Sequence, residues 1–284
     1  MTKKIIIVIL IITVVVGLFT GNKVFSKEKN KDKDKEITMK DKLKELGNIN
    51  KKINYFKEDY IDRYIAYKKK NKNLSNNDIV LRVNIGLDQD FYTNIKEAPS
   101  IDSNHVLVNK FYFLDENYVP NNLEEIDNEY SVSDRYLVNV ARISFEHLAK
   151  KAKEDGLNIR AISTYRSYSY QSNLYNNYVK QDGVYEADKY SARPGFSEHQ
   201  TGFAVDVDNI GTNYNDFENT EEYKWMLENA HKYGFILRYP KGKEDITGYM
   251  YEPWHYRYVG VEIASFIQQN KLTYEEYYFK YIAK

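Results

Sequence analysis

Apolar and polar residues alternate strictly after Gly202: Phe203, Val205 and Val207 are interleaved with Ala204, Asp206 and Asp208. Successive side chains of a strand point to opposite faces, so this stretch predicts a strand with one apolar face and with Asp206 directed away from it. Residues 251–258 repeat the pattern, Trp254, Tyr256 and Tyr258 alternating with His255 and Arg257. Shorter apolar runs at 106–108, 157–162 and 235–237 are further strand candidates. Between them the period becomes that of a helix. From Asp134 onward Leu137, Val140, Ala141, Ser144, Phe145, Leu148 and Ala152 share one face, and Gly156 ends the run. Residues 168–179 predict a second helix with Gln171 in its first turns, Thr220 caps a third that Gly234 ends, and two more start near Gly260 and Thr273. Residues 181–196 and 240–248 read as loops. Short strands mixed with helices predict an α+β fold, a small antiparallel sheet flanked by helices.

The chain ahead of this domain divides by pattern. Lys3 and Lys4 precede an uncharged apolar run over residues 5–19, the layout of an export signal. With Thr20 and Gly21 the run just reaches the roughly 17 to 25 residues that span a bilayer, so residues 1–26 are expected to be a signal peptide or an uncleaved membrane anchor. Residues 27–48 alternate Lys with Asp and Glu and are nearly free of large apolar residues before Ile37, which predicts a solvated tether. Over 49–103 the chain reads as a helical lead-in. Ile53, Phe56, Tyr60, Tyr64 and Tyr67 recur at helical spacing, and 75–78 (Ser-Asn-Asn-Asp) is a cap ahead of Ile79, Val80, Val83 and Ile85. The main domain is expected over 104–284.

Charge changes this picture little: 41 basic and 41 acidic residues balance, which gives no ground for a nucleic-acid partner. Cysteine changes it more. There is none, so disulfides, thiolate ligands and cysteine nucleophiles are excluded, and any metal must be held by His and carboxylate. His199 stands seven residues before Asp206, and a turn at Gly202 would bring its imidazole back over the strand beside that carboxylate. His255 supplies a third ligand, and Glu252, three residues earlier and offset by Pro253, is placed to take a proton from a metal-activated water. His105, His147 and His231 have no partner at a ligand-like spacing and receive no role.

Three groups of residues, in order, resemble the zinc D-Ala-D-Ala carboxypeptidases of the VanY type. They are Tyr165-Arg166-Ser167 with Gln171; then Ser197, His199, Gly202, Ala204 and Asp206 in the pattern Ser-x-His-x-x-Gly-x-Ala-x-Asp; then Glu252 and His255 as Glu-x-x-His. Residues 106–110 and 118–120 also look like the lead-in to that family's catalytic domain. The resemblance implies the Hedgehog/DD-peptidase fold for 104–284, Zn2+ on His199, Asp206 and His255, and Glu252 as general base. It implies removal of the terminal D-Ala from peptidoglycan stem pentapeptides, with L,D-carboxypeptidase or endopeptidase action, or a wall-binding module without turnover, as alternatives. An exopeptidase must grip a chain end, and Arg166 with Gln171 is the candidate for the terminal carboxylate or the oxyanion, with Ser197 adding a hydroxyl. Tyr190, Arg193 and Trp254 are candidates for the cleft wall, where packing explains them equally well. The expected partner is a stem peptide, met by a monomer at the extracytoplasmic face of the membrane or in the wall.

Overall fold

The computed structural model describes residues 39–48, 52–101, 103–209 and 214–283. The signal or anchor over 1–26 and residues 27–38 of the expected tether lie outside the described residues; residues 39–48, also expected to be solvated tether, instead form a helix and turn that bury Leu46. Among the described residues no helix is long and apolar enough to cross a membrane. The chain divides into two compact units, Met1–Val83 and Asn84–Lys284. In the first, residues 39–45 form a helix, α1, then come α2 (Ile61–Lys70) and all but the last two residues of α3 (Asn76–Ile85). The helical spacing expected from Ile53 to Tyr67 holds only from Ile61 onward, since residues 52–57 form turns and coil; Leu46 and Ile53 enter the same buried core as Ile61, Tyr64, Ile65, Ile79, Val80 and Val83 from outside the helices. Ser75 precedes α3 as a cap, its Oγ accepting from the Asp78 N–H at 3.1 Å.

The division falls twenty residues ahead of the expected start of the main domain, because residues 84–103 are tied to the larger unit. Strand β1 (Lys96–Glu97) pairs in parallel with β2 (Tyr112–Phe113), and Ala98 is buried in the larger unit's core. The remaining elements are β3 (Leu123–Glu125), β4 (Tyr136–Val138), α4 (Asn139–Glu154), β5 (Arg160–Ser163), α5 (Tyr168–Asp182), α6 (Val184–Tyr190), β6 (Ala204–Asp208), α7 (Glu221–Asn229), β7 (Phe235–Leu237), α8 (Glu244–Thr247), β8 (His255–Tyr258), α9 (Val261–Asn270) and α10 (Tyr274–Tyr277).

Several local expectations are corrected. The helix expected from Asp134 starts at Asn139, because Asp134 has φ 59° and the next residues pair as β4 with β3. Leu137 is therefore a buried strand residue, and Val140 is exposed. Residues 106–108 are fully buried but form no strand; the Val106 carbonyl accepts from the Arg257 side chain instead. The expected loops contain α6 and the single turn of α8.

The mixed helix and sheet architecture holds. One four-stranded sheet runs β5-β6-β8-β7, and every neighbouring pair is antiparallel. Val205, Val207, Ala161, Tyr256 and Phe235 join Phe145, Leu148 and Ala149 of α4 in the core. All five residues of β6 are buried, so the face carrying Asp206 is covered too, by the turns that form the site.

Candidate active site

The register of the sheet decides where the chemistry meets. Asp206 of β6 is paired with His255 of β8 on one side and with Ser163 of β5 on the other. Directly opposed residues share a face, so Asp206 and His255 are neighbours by construction, and His255 Nδ1 lies 2.9 Å from Asp206 Oδ1. His199 arrives from a 3-10 turn, Glu198–Thr201, that Gly202 closes at φ 71°. A Cβ at Gly202 would lie 2.9 Å from Leu123 Cδ2 and 3.0 Å from Val138 Cγ2, so the turn needs glycine for conformation and for space. His199 Nε2 lies 3.3 Å from Asp206 Oδ2. The ligand atoms of His199, Asp206 and His255 all fall within 4.8 Å of one another, and all three side chains are buried.

Hydrogen bonding fixes what these atoms can do. The Thr164 carbonyl accepts from His199 Nδ1 at 2.7 Å, which leaves Nε2 with its lone pair aimed at a carboxylate oxygen. Two acceptors facing each other call for a cation between them. Burial and the Arg166 charge push His199 down to about 4, against the pull of Asp206, so its imidazole is neutral near pH 7. Burial pushes Asp206 up, but its contact with His199, the Arg166 charge and the hydrogen bond from His255 outweigh this and hold it well below the usual carboxylate range. For His255 burial acts downward, yet its hydrogen bond to Asp206 and the nearby carboxylates of Glu198 and Glu252 hold it up, to about 9. A buried, ionised carboxylate between two imidazoles is a nitrogen-and-oxygen donor set that fits a divalent cation, which would displace the extra proton that His255 holds without it.

Glu252 stands at the cavity edge of this cluster, Oε2 3.8 Å from His255 Nδ1 and its backbone N–H on the Tyr239 carbonyl at 3.2 Å. Burial raises its carboxyl to about 8. Arg166 reaches in from the end of β5, Nη2 2.6 Å from Asp206 Oδ2 and Nε donating to Ser163 Oγ at 2.9 Å. The register shifts between Ala161 and Ser163, and this irregularity brings Ser163 opposite Asp206 and beside Arg166. The cluster opens on a cavity of about 630 Å³ also lined by Gln171, Ser197, Tyr190 and Trp254.

A family profile described as VanY, D-alanyl-D-alanine carboxypeptidase, matches residues 134–261, the span that holds these residues. YodJ of Bacillus subtilis (strain 168) is 41% identical over 207 residues, covering 68% of this chain and 76% of that protein. The chain belongs to the VanY family. Among solved structures, the LdcB LD-carboxypeptidase is 42% identical, with a TM-score of 0.62, and covers 66% of this chain and 91% of its own. A variant of the vancomycin-resistance D,D-pentapeptidase VanY from a VanB-type cassette, in complex with Zn(II), is 32% identical, with a TM-score of 0.54, covering 61% and 98%.

Within this VanY-family site the predicted residues do not all stand as free groups. Arg166 is engaged with Asp206. The Gln171 amide donates to the Ala192 carbonyl at 2.8 Å and to Ser191 Oγ at 3.4 Å, so its unpartnered Oε1 is an acceptor, suited to a substrate N–H rather than to a carboxylate. Arg193 is held by Asp188, at 2.8 and 3.0 Å, and is absent from the cavity wall. Thr164, Ser163 and Glu198 also contact these groups and have no expected role from the sequence. A signal for Glu198 was present in Arg238 and Arg257, charges inside apolar stretches that need a buried counter-charge.

Proposed function

We propose that this chain is a zinc-dependent carboxypeptidase that removes the terminal D-Ala from peptidoglycan stem pentapeptides. The convergence of His199 Nε2, Asp206 and His255 Nδ1 beside the buried carboxyl of Glu252 carries this reading. A zinc ion held by those three residues supplies Lewis-acid polarisation and lowers the pKa of a water to about 7. Glu252 accepts a proton from the attacking water and returns it to the leaving amine. Arg166 has N–H groups beyond the two committed to Ser163 and Asp206, and we assign them to the substrate's terminal carboxylate or to the oxyanion. Gln171 Oε1 and the Ser197 hydroxyl complete the polar wall.

One observation favours a second specificity. Identity and TM-score to the LD-carboxypeptidase LdcB, 42% and 0.62, exceed those to the D,D-pentapeptidase, 32% and 0.54. Mass spectrometry of a muramyl pentapeptide ending in D-Ala-D-Ala and of the matching tetrapeptide, each with and without a chelator, separates the two. Chelator-sensitive loss of one alanine from the pentapeptide is expected; loss from the tetrapeptide alone would assign the L,D reaction. A substrate whose terminal carboxylate is an amide should not be cut, and unchanged cleavage would assign an endopeptidase.

We place the enzyme at the extracytoplasmic face, tethered through residues 1–26, on the strength of the two lysines and the uncharged run after them. Recovery of the protein in the washed membrane fraction, accessible to external protease, is the expected result.

A further inference from the structure

Four charged side chains, Glu198, Arg238, Arg257 and Glu275, are buried together beside the site, with side-chain exposures of 0–1%. Burying charge is costly unless each group is paired. Here nearly every atom is. Glu198 Oε1 accepts from Arg238 Nε at 2.8 Å and from Arg257 Nη1 at 2.9 Å. Glu275 takes the other two nitrogens of Arg238 at 2.8 and 2.5 Å. Arg257 gives Nη2 to the Asn104 and Val106 carbonyls and Nε to the Tyr258 carbonyl.

The exception is Glu198 Oε2, which is buried without a hydrogen-bond partner. It faces His255 Nε2 at 3.7 Å, and that nitrogen is also buried without a partner. The two are complementary, a carboxylate oxygen and an imidazole nitrogen, and the second carries a hydrogen whenever Nδ1 serves as the ligand. Tyr239 packs against the same ring, centroids 4.9 Å apart, so the imidazole has little freedom to turn away.

We propose that Glu198 is the positioning residue of His255. Its Oε2 accepts the Nε2–H, turning Nδ1 and its lone pair towards Asp206 and the metal position, while Arg238 and Arg257 hold the carboxylate in place. This rests on the reading that His255 ligates zinc. A carboxylate partner of this kind fixes tautomer and ring angle and raises ligand basicity. The acid that precedes one ligand, His199, thus orients another that is far away in sequence.

Chelator competition on the zinc-free protein measures the effect directly. Glu198→Gln keeps an oxygen for the arginines but can present an amide donor to the Nε2–H, and zinc affinity should fall about 10- to 100-fold. Glu275→Gln disturbs the same ion network away from His255, and should lower thermal stability while leaving zinc affinity within about threefold of the parent, since its contact with the ligand is indirect. Equal affinity of Glu198→Gln and parent would overturn the proposal, and so would an equal loss in Glu275→Gln. Should Glu198→Gln fail to fold, long-range 1H–15N spectra of the zinc-loaded parent decide alone: a slowly exchanging proton on His255 Nε2 is expected, and one on Nδ1 would overturn the assignment. A parent that binds no zinc would remove the zinc reading as well, which tells the two failures apart.

Discussion

Asp206 and His255 stand directly opposite each other on neighbouring antiparallel strands, and this pairing, rather than loop placement, brings two of the three candidate ligands into contact. His199 approaches the other carboxylate oxygen from a turn, and Arg166 meets it from a third direction. Asp206 is therefore the hub of the cluster. Asp206→Asn removes the charge that every neighbour addresses and leaves Arg166 and the two imidazoles without a counter-charge. Zinc affinity should drop by more than about 100-fold, the most that loss of an outer partner usually costs. Equilibrium dialysis against a metal buffer measures it, and affinity within a few-fold of the parent would exclude Asp206 as a ligand.

Glu252 is the proton acceptor in this arrangement, and it touches the cluster only through His255, at 3.8 Å. Glu252→Gln should lower kcat by about 10²- to 10⁴-fold, the usual share of a general base, with zinc affinity changed little. The pH profile carries the sign. A base works when ionised, and burial raises Glu252 from the ordinary range towards about 8, so activity should be lost as pH falls through a limb well above 4.5. A kcat/KM profile flat down to about pH 5 would show that another group takes the proton.

The site was more legible in the sequence than the fold around it, for a physical reason. Residue type and strand alternation are local signals, and the order of His199, Asp206, Glu252 and His255 along the chain, resembling one family's pattern, is what makes them nameable together; the β6 strand holds. What failed depended on partners distant in sequence. Residues 106–108 look like a strand but give the Val106 carbonyl to Arg257, and Leu137 joins β4 because β3 is there to pair with it. The role of Glu198 was hidden likewise, since its partners are 40 and 59 residues away. Residue type makes Arg166 a candidate for the terminal carboxylate or the oxyanion, and only the fold reveals its bond to Asp206.

Gly202 offers a test of the turn that delivers His199. It combines φ 71° with side-chain contacts that a Cβ would crowd to 2.9 Å, and its carbonyl accepts from Val138 N at 2.9 Å. Gly202→Ala should cost about 2–4 kcal/mol of stability, left-handed backbone and overpacking together. Urea unfolding of the larger unit would report it. A loss under about 0.5 kcal/mol, within the range of ordinary surface substitutions, would mean that the turn relaxes freely.

Lys110 should give the protein an alkaline dependence of stability that has nothing to do with the metal. Its ammonium is buried, donates to the Asp188 carbonyl at 2.6 Å and lies over the rings of Phe91, Tyr92 and Tyr249. Burial lowers its pKa from 10.5 to about 8, with Arg193 adding to the fall and Asp188 opposing it. The folded form thus releases this proton before the unfolded chain does. Below about pH 8 both states are protonated and the cost is constant; between about 8 and 10.5 the unfolded chain binds more protons, so stability rises with pH. Integrated over the window, the gain is about 3 kcal/mol. Comparing the parent with Lys110→Met cancels the tyrosine ionisations common to both. The difference in unfolding free energy, from denaturant titrations between about pH 7.5 and 10.5, should move in the parent's favour by that amount. A difference independent of pH would mean that Lys110 keeps its ordinary pKa and that its burial is offset by the ring and carbonyl contacts alone.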